Sequence, residues 1–289
     1  MFKKKKDQTY QSYWSISWNI FKKNKVAMVC LFIVILLCLI ALFAPLIAPY
    51  DPNKQVLTDR LMKPCGQYWF GTDDLGRDIF SRIIYGCRVS LSVGIISQII
   101  ATVIGYTMGV CAGYYGGKVD SVISFLIQVF SSFPFLLFAM AIMFVLGPGL
   151  INLYLALGLL GWASTARLIR GDVMRLKKME YIDACKVSGG NSFRIIMKHL
   201  LPNCLSTLIV TVTLGIPNAI MSEASLSFLG LGVKAPMASW GSMISFSQPY
   251  IRSATYYSVI PGLAIIITVL AFNMLGDGLR DALDPKLRS

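Results

Sequence analysis

The residue types that could do chemistry are concentrated in residues 171–203, a charged segment between two apolar runs. Asp183 stands near the start of a short helical pattern, where a carboxylate complements the helix dipole. Gly189 and Gly190 permit a tight turn, and Pro202 begins the next apolar run, where a missing amide donor costs little. A short amphipathic helix of this kind can lie in a groove of a partner. The pattern therefore predicts docking of a partner, and the competing interpretation is an ordinary basic loop.

No catalytic role is predicted for any residue. The single histidine, His199, lies in the charged segment, so no Ser-His-Asp or Cys-His arrangement is expected. A P-loop needs Gly-x-x-x-x-Gly-Lys-Ser/Thr, and the nearest stretch has Ala112 and Val119 at two required positions. The seven cysteines show no Cys-x-x-Cys metal spacing, and only Cys65 and Cys87 are left open as a disulfide pair.

A second charged cluster precedes the second apolar run. Asp73, Asp74 and Asp78 stand beside Arg77 and Arg82. We expect these side chains to form an ion-paired cap at the membrane face. The alternative is a hard cation held by the carboxylate oxygens, for which the two arginines would compete.

Glu223 is predicted to lie at the external end of the fifth apolar span. An ionisable group at the end of an apolar span is a functional candidate, here for a pathway through the span region or its gate, and Ser227 and Phe228 are further candidates beside it. The alternative is a carboxylate that has reached headgroup water. An ion-pair network that closes the last helix is expected at Asp277, Arg280, Asp281 and Asp284.

Membrane-spanning helices are the elements that must position these residues. Hydrophobic residues make up 55% of the 289 residues, charged residues only 14%, and the mean hydropathy is +0.64. Soluble domains carry about 25% charged residues, and about 20 apolar residues cross a bilayer. We predict an all-α integral membrane protein with six transmembrane helices, in which Pro134 and Pro217 bend the third and the fifth. The predicted spans are residues 26–47, 89–112, 122–146, 150–166, 204–222 and 259–275.

The basic residues indicate how the chain is oriented in the membrane. Most of the 27 lysines and arginines fall on one side of the predicted spans, which places both termini in the cytoplasm. The net charge of +13 is therefore attributed to orientation, and no nucleic-acid motif accompanies it. Trp14, Trp18 and Phe21, followed by lysines, predict an amphipathic helix on the inner membrane surface, or else an unstructured tail with incidental aromatics.

Four blocks of the chain, in order from about residue 26 to the end, resemble one known family. Residues 181–203 resemble the coupling motif of ABC importer permeases, with Asp183 for the usual Glu and Cys185 for the second Ala. Residues 70–91, 223–241 and 273–285 resemble dipeptide and oligopeptide permeases of the C type. The coupling residues implied are Asp183, Ala184, Cys185, Lys186, Ser188, Gly189, Arg194, His199, Leu201 and Pro202. The extracytoplasmic signature implied is Gly71, Thr72, Asp73, Gly76, Arg77 and Asp78.

This resemblance implies the type I ABC importer permease fold with a cytoplasmic coupling helix, in the cell membrane of a prokaryote. The cargo implied is dipeptides or oligopeptides. The implied partners are a second permease in a heterodimer, two ATPase subunits that carry ATP and Mg²⁺, and an extracytoplasmic binding protein. No cofactor is expected on this chain. The same architecture carrying nickel or a metal–chelator complex is the nearer alternative, because related permeases share these motifs. An intramembrane enzyme is the distant one, since the spans are almost free of ionisable groups.

The second span also carries two consecutive Gly-x-x-x-Gly steps, at Gly105, Gly109 and Gly113, which predict close helix contact.

The predicted organisation has five parts. The parts are a cytoplasmic segment (1–25), the first transmembrane helix (26–50), an extracytoplasmic loop (51–88), a permease core of five helices (89–280) that includes the coupling segment (171–203), and a cytoplasmic tail (281–289).

Overall fold

The computed structural model describes residues 13–283, with side chains described from residue 15. The described chain is built from helices joined by short turns and one long loop, and an isolated β-bridge joins Thr72 and Asp78 within that loop. The helices are α1 (Tyr13–Lys23), α2 (Lys25–Leu42), α3 (Ala44–Ile47), α4 (Ile79–Tyr115), α5 (Gly117–Ser132), α6 (Phe135–Leu146), α7 (Leu150–Leu176), α8 (Glu180–Val187), α9 (Ser192–Ile195), α10 (Leu201–Phe228), α11 (Trp240–Ser247) and α12 (Thr255–Leu283). Short 3₁₀ turns lie at Leu57–Asp59 and Gln248–Tyr250, and a π-helical turn at Ile196–Leu200 joins α9 to α10.

Four helical runs among the described residues are long and apolar enough to cross a membrane: α2, α4, the continuous run Ser192–Phe228, and α12. The pair α5 and α6 makes a fifth if it counts as one span, although the two helices are bent by 90° at Pro134. The predicted count of six is not reached by this measure. Helix α7, the predicted fourth span, is long enough at 27 residues. Its glycines, hydroxyl side chains and arginines make it less apolar than the other runs.

Several predicted span boundaries differ from the observed helices. Helix α4 begins ten residues before the predicted start, because the Asp78 side chain caps it by accepting a hydrogen bond of 2.8 Å from the Ser81 amide. The end of the predicted extracytoplasmic loop is therefore helical. Helix α10 runs through Pro217 without ending and continues to Phe228, six residues beyond the predicted end at Ser222.

The predicted glycine contact on the second span is confirmed, and its partner is α7. A Cβ added at Gly109 would lie 2.7 Å from the carbonyl oxygen of Ala166, and one at Gly105 would lie 2.6 Å from the Thr165 Cβ. Gly113 is packed in the same way one turn further on. Since no side chain fits at these positions, the backbones of α4 and α7 lie in direct contact.

The N-terminal helix packs on the far end of the chain. Phe21 of α1 is 2% exposed and lies near Ala27 of α2 and Gly278 of α12. Trp18 stacks on Phe21 with ring centroids 5.6 Å apart and is 46% exposed. The chain thus forms a helix where the sequence predicted one, and its position on a membrane surface stays a prediction.

Candidate functional site

A cavity of about 850 Å³ lies between α4, α6, α7, α10 and α12. Its apolar part includes Phe135, Leu157, Leu168 and Val210. Among the described residues that line it there is no carboxylate, and Arg280 is the charged side chain. The uncharged polar residues of its wall are Ser97, Gln98, Ser164, Thr165, Ser206, Thr207, Thr211, Asn218 and Ser222.

Several hydroxyl groups of the wall already donate their protons within the protein. Thr211 Oγ1 donates to the carbonyl oxygen of Thr207 at 2.7 Å, and Ser164 Oγ donates to that of Gly161 at 3.0 Å. Thr207 Oγ1 donates to Asp172 Oδ2 at 2.6 Å. Each hydroxyl oxygen therefore keeps lone pairs that can accept hydrogen bonds. The wall suits a polar solute that brings its own N–H donors.

The two ends of the cavity are set by the helices that line it. Ser206 and Thr207, near the start of α10, lie at one end together with Arg280 and Leu283, near the end of α12. Because α10 follows directly from the charged segment, this end of the cavity is the one nearer to α8 and α9. Ser222, far along α10, marks the opposite end.

The coupling segment folds as the two short helices that the sequence predicted. Gly189 adopts a φ of +79°, a conformation that favours glycine, and its amide donates to the carbonyl oxygen of Lys186 at 3.0 Å. Asn191 caps α9 by accepting a hydrogen bond of 2.8 Å from the Arg194 amide. Pro202 stands in the first turn of α10, where no amide donor is needed.

One face of the coupling segment is buried and the other is exposed. Ile182, Ile195 and Leu200 pack in a cluster with Val110 of α4 and Val173 of α7. This packing fixes the segment on the ends of the two helices that are joined by glycine contacts.

The outer face carries both charge and apolar surface. Asp183 and Lys186 pair at 2.7 Å on the exposed side of α8. Val187 is 89% exposed and Phe193 is 71% exposed. The docking of a partner against these exposed side chains stays a prediction. Among the other predicted coupling residues, Ala184, Ser188, Gly189, Arg194 and Pro202 are exposed, and Cys185, His199 and Leu201 are half-buried.

Glu223 is fully buried within α10 and is not part of the cavity wall. Its Oε1 accepts hydrogen bonds from the hydroxyls of Ser227 at 2.6 Å and Ser239 at 2.7 Å. The interpretation of a carboxylate in headgroup water is therefore wrong, because the helix extends past Glu223 and α11 packs over it. Ser227 is buried beside it and Phe228 is half-exposed at the end of the helix.

Ion pairs do form in the cluster predicted before the second span, and its position at the membrane face stays a prediction. Arg77 Nε donates to Asp73 Oδ2 at 2.6 Å, and Arg82 Nε lies 3.4 Å from the same oxygen. Asp74 is 3.8 Å from Arg77, and the Asp78 carboxylate instead caps α4. The described residues hold no group of three or more metal-ligating side chains.

The rest of the extracytoplasmic signature shapes the turn that leads into α4. Gly71 and Gly76 adopt φ values of +77° and +70°. Thr72 Oγ1 donates to the carbonyl oxygen of Asp59, which ties the turn to the preceding loop. The carboxylate of Asp59 also accepts a hydrogen bond of 2.8 Å from Tyr68, which raises the pKa of that phenol to about 12.

Comparison with known proteins decides the family. Residues 102–289 match the family described as the binding-protein-dependent transport system inner membrane component. The chain belongs to this family. Residues 12–64 also match the N-terminal transmembrane domain of oligopeptide transport permease C. The resemblance to C-type permeases is thereby confirmed.

Curated relatives match this permease along nearly its whole length. It is 46% identical over 278 residues to the dipeptide transport system permease protein DppC of Bacillus subtilis, covering 96% of this chain and 87% of the relative. It is 42% identical over 277 residues to the oligopeptide transport system permease protein OppC of the same organism, covering 96% and 91%. It is 41% identical over 285 residues to the glutathione transport system permease protein GsiD of Pectobacterium atrosepticum, covering 98% and 95%.

A solved structure shares the fold. The inward-facing MetNI methionine ABC transporter has a chain that superposes with a TM-score of 0.58 at 19% identity, covering 71% of this permease and 98% of that chain. The all-α, type I permease fold predicted from the sequence is confirmed. The chain is a multi-pass transport permease of the bacterial inner-membrane type.

Two further predictions concern the cysteines and the charged residues near the end of α12. All seven cysteines are free thiols, so Cys65 and Cys87 are not bridged. Cys87 instead lies buried in α4. Asp277, Arg280 and Asp281 form no ion pair with one another among residues 13–283, and Asp284 lies outside the described residues.

The sequence interpretation missed the cavity wall and the apolar face of α8 and α9. Thr207, Thr211, Asn218 and Ser222 recur at i, i+4, i+11 and i+15, which is one face of a helix. A search of the fifth span for polar periodicity would have found this face. Val187 stands five residues after the buried Ile182, which places it off the buried face of α8.

Proposed function

We propose that this chain is a permease subunit of an ATP-driven importer for dipeptides or oligopeptides, and that the cavity between α4, α7 and α10 is its half of the transport pathway. The observation that carries the proposal is the position of this cavity, whose mainly apolar wall carries several polar side chains and whose one end adjoins the helices that hold the coupling segment. Relatives at 41–46% identity are named for the transport of dipeptides, oligopeptides or glutathione, which are all peptides.

The chemistry of the wall supports a peptide cargo. A peptide brings backbone N–H donors, and the hydroxyl oxygens of Ser164, Thr207 and Thr211 have lone pairs left to accept them. Arg280 offers a charge-assisted hydrogen bond to a peptide carboxylate. The volume of about 850 Å³ is within the range of about 300–1,000 Å³ that holds small organic ligands. Because the wall offers few polar contacts, it favours the passage of peptides with many different side chains and does not select one peptide tightly.

The coupling segment is the proposed contact with the energy source. Two separate ATPase subunits would hold ATP and Mg²⁺ and dock against the exposed face that carries Val187 and Phe193. ATP binding would draw the coupling segments of two paired permeases together, and the pair would then open outward. By linkage, substrate delivery and nucleotide state must bias the same two-state bundle.

The orientation that the basic residues favour assigns each remaining partner to a side of the membrane. Both termini and residues 171–203 would face the cytoplasm of a prokaryotic cell, and residues 51–88 would face outward. A second permease would form a heterodimer across the cavity. An extracytoplasmic binding protein would deliver the cargo to the outer face. The ion-paired cap at Asp73 lies on the side where that delivery would occur.

Purification of the tagged chain from its native host in mild detergent, with mass spectrometry of the accompanying proteins, tests the assembly. We expect a second permease and two P-loop ATPases. Recovery of the chain without an ATPase, under conditions that preserve a known ABC complex, would overturn the proposal. Binding assays on a co-purified binding protein then separate peptide cargo from nickel or a metal chelate.

Uptake by a cavity variant tests the pathway. Ala219 lines the cavity, and Ala219→Trp should block peptide uptake at unchanged membrane abundance. Val122→Trp is the matched control, because Val122 is 60% exposed on α5 away from the cavity. Equal uptake by the two variants would exclude the cavity as the pathway.

A further inference from the structure

A second groove runs along the outside of the bundle, between α2 and α12, with a volume of about 460 Å³. Its walls are Val26, Val29 and Ile33 on α2 and Ile267, Leu270 and Met274 on α12. Each set recurs at i, i+3 and i+7, so each helix turns one apolar face toward the groove. This groove is separate from the proposed transport pathway.

The floor of the groove is made of small side chains. Cys30 is 5% exposed and Ala271 is 2% exposed, and they bring α2 and α12 together in one buried cluster. The walls are longer and remain open, since Val29 is 59% exposed and Leu270 is 51% exposed. The groove thus presents aliphatic side chains on both sides of a floor of small residues, a surface against which a hydrocarbon chain can pack.

The groove lies on a face of the bundle that meets lipid. Helix α2 is the most apolar of the candidate spans, and only 11% of its membrane window is buried inside the protein. In a bilayer, lipid acyl chains are what an uncovered helix face contacts. Lipid acyl chains therefore contact the groove in a bilayer, and a preference for one lipid must come from the groups at its end.

Basic side chains mark one end of the groove. Lys25, the first residue of α2, lines it, and Lys22 and Lys23 end α1 just before it. None of these three lysines forms an ion pair among residues 13–283. Lys22 lies over the Trp18 ring at 5.2 Å, an arrangement that suits the level of the headgroups.

We propose that the groove is a binding site for an anionic phospholipid. One acyl chain lies between α2 and α12, and the phosphate lies against Lys25 with Lys22 and Lys23 nearby. Charge complementarity selects an anionic lipid, because each lysine near a membrane surface favours anionic headgroups while a zwitterionic headgroup cancels most of that attraction. The lipid would hold α1 and α2 against α12, at the end of the bundle where Phe21 packs near Gly278.

Photolabelling tests the site on the full-length chain, purified with the subunits that accompany it. The complex is reconstituted into phosphatidylcholine vesicles that contain a small fraction of phosphatidylglycerol with a diazirine in its acyl chain. A phosphatidylcholine carrying the same diazirine is the parallel probe. We expect the phosphatidylglycerol probe to label peptides covering 25–33 and 267–274 more strongly than the phosphatidylcholine probe does.

Two variants test the headgroup contact and the acyl-chain contact of the site separately. Lys25→Gln should reduce the preference for phosphatidylglycerol about fivefold, the factor that corresponds to ~1 kcal/mol per basic residue near the surface. Lys118→Gln is its control, because Lys118 is exposed at the start of α5 and lines neither cavity. Val29→Trp should fill the groove and remove the excess labelling by the phosphatidylglycerol probe, whereas Val122→Trp on the exposed face of α5 should not.

Three outcomes would overturn the proposal. Equal labelling by the two probes would show that the groove is only solvated by lipid. An unchanged preference in Lys25→Gln would remove the headgroup assignment. Crosslinks from the groove to an accompanying subunit, in place of lipid, would assign it to a protein interface.

Discussion

The Ser239 hydroxyl donates a hydrogen bond of 2.7 Å to Oε1 of Glu223, and the same hydroxyl accepts one of 3.1 Å from the Ser242 amide. Ser239 is the N-cap of α11, so one oxygen both starts that helix and attaches it to α10. Ser90 of α4 lies nearby and accepts a hydrogen bond of 3.2 Å from the Trp240 amide. Glu223 is thus the centre of a junction between helices from distant parts of the sequence.

Removing this carboxyl group should destabilise the junction. Glu223→Ala leaves the buried hydroxyls of Ser227 and Ser239 without their acceptor, which costs ~1–3 kcal/mol for each buried group left unsatisfied. Glu223→Gln keeps a side-chain oxygen for both and should retain stability and uptake. Thermal unfolding of the purified complex and peptide uptake in vesicles check the pair.

The two measurements also separate a structural role from a role in the pathway. An alanine variant as stable as the parent would exclude the junction. A glutamine variant that is stable but does not transport would instead show that the carboxyl group itself acts in the pathway or gate.

Asp73 should be the most costly carboxylate to remove from the external cap. It is fully buried and faces the guanidinium groups of Arg77 and Arg82, so Asp73→Asn leaves two buried cations without their shared anion. We expect a loss of ~3–5 kcal/mol in unfolding free energy. Asp51→Asn, at an exposed aspartate that accepts one hydrogen bond from the Asn53 amide, should change stability by less than ~0.5 kcal/mol.

Thermal unfolding and the rate at which trypsin cleaves the loop report on this cap. Similar behaviour of the two variants would mean that water or another cation-binding group compensates for Asp73, and that the cap does not organise the loop.

The contact between α4 and α7 should tolerate no added methyl group at its centre. Gly109→Ala places a Cβ 2.7 Å from the Ala166 carbonyl oxygen and 2.9 Å from the Ile169 Cβ, so the helices must move apart. We expect a destabilisation of ~1–3 kcal/mol from overpacking. Gly171→Ala is the matched change in α7, with nothing within 4 Å of the new Cβ, and should stabilise by up to ~1 kcal/mol.

Melting temperatures of the two purified variants give the comparison. A Gly109 variant that is as stable as the Gly171 variant would contradict direct backbone contact between these helices.

The turn between α8 and α9 should be essential for coupling. Gly189→Pro cannot adopt the φ of +79° and loses the amide that bonds to Lys186, so the turn must change. Gly189→Asn tolerates positive φ and meets no atom within 4 Å of its Cβ. We expect the proline variant to lose uptake while it stays in the membrane, and the asparagine variant to keep uptake.

Asp183→Lys tests the same segment through charge, because it reverses the carboxylate in the first turn of α8. Uptake is measured together with substrate-stimulated ATP hydrolysis in proteoliposomes. Normal uptake by the proline or lysine variant would remove the coupling assignment.

The elements with strong local signals could be predicted from the sequence. Apolar runs place α2, α4, α10 and α12, Pro134 marks the break between α5 and α6, and Gly109 marks a helix contact. Helix boundaries were less predictable, since Arg82 was assigned to a loop. It lies in α4 because Asp78 caps that helix earlier, and its buried guanidinium contacts Asp73 and the carbonyl oxygen of Pro52, the latter 30 positions back in the chain.

The cavity was beyond the reach of local pattern because its residues come from several helices. For Glu223, the local pattern indicated a position that long-range packing changed. An ionisable residue near the end of an apolar span indicated exposure to the pathway, but the helix continues past it and Ser239, sixteen positions on, covers it. The cavity and the burial of Glu223 both depend on packing between residues that are distant in sequence, and the pattern of a single sequence does not show such packing.

The glycine contact between α4 and α7 has a mechanical consequence. At ~1.5 Å per residue, α4 is ~55 Å long and α7 is ~40 Å long, so the pair forms a doubled rod that is long enough to traverse a bilayer. The rod has the external cap of Asp73 and Arg77 at one tip and the buried side of the coupling segment at the other. Because two backbones in contact resist bending more than one, we expect a displacement of the coupling segment to tilt the whole pair, with the largest movement at the tip that carries Asp73 and Arg77.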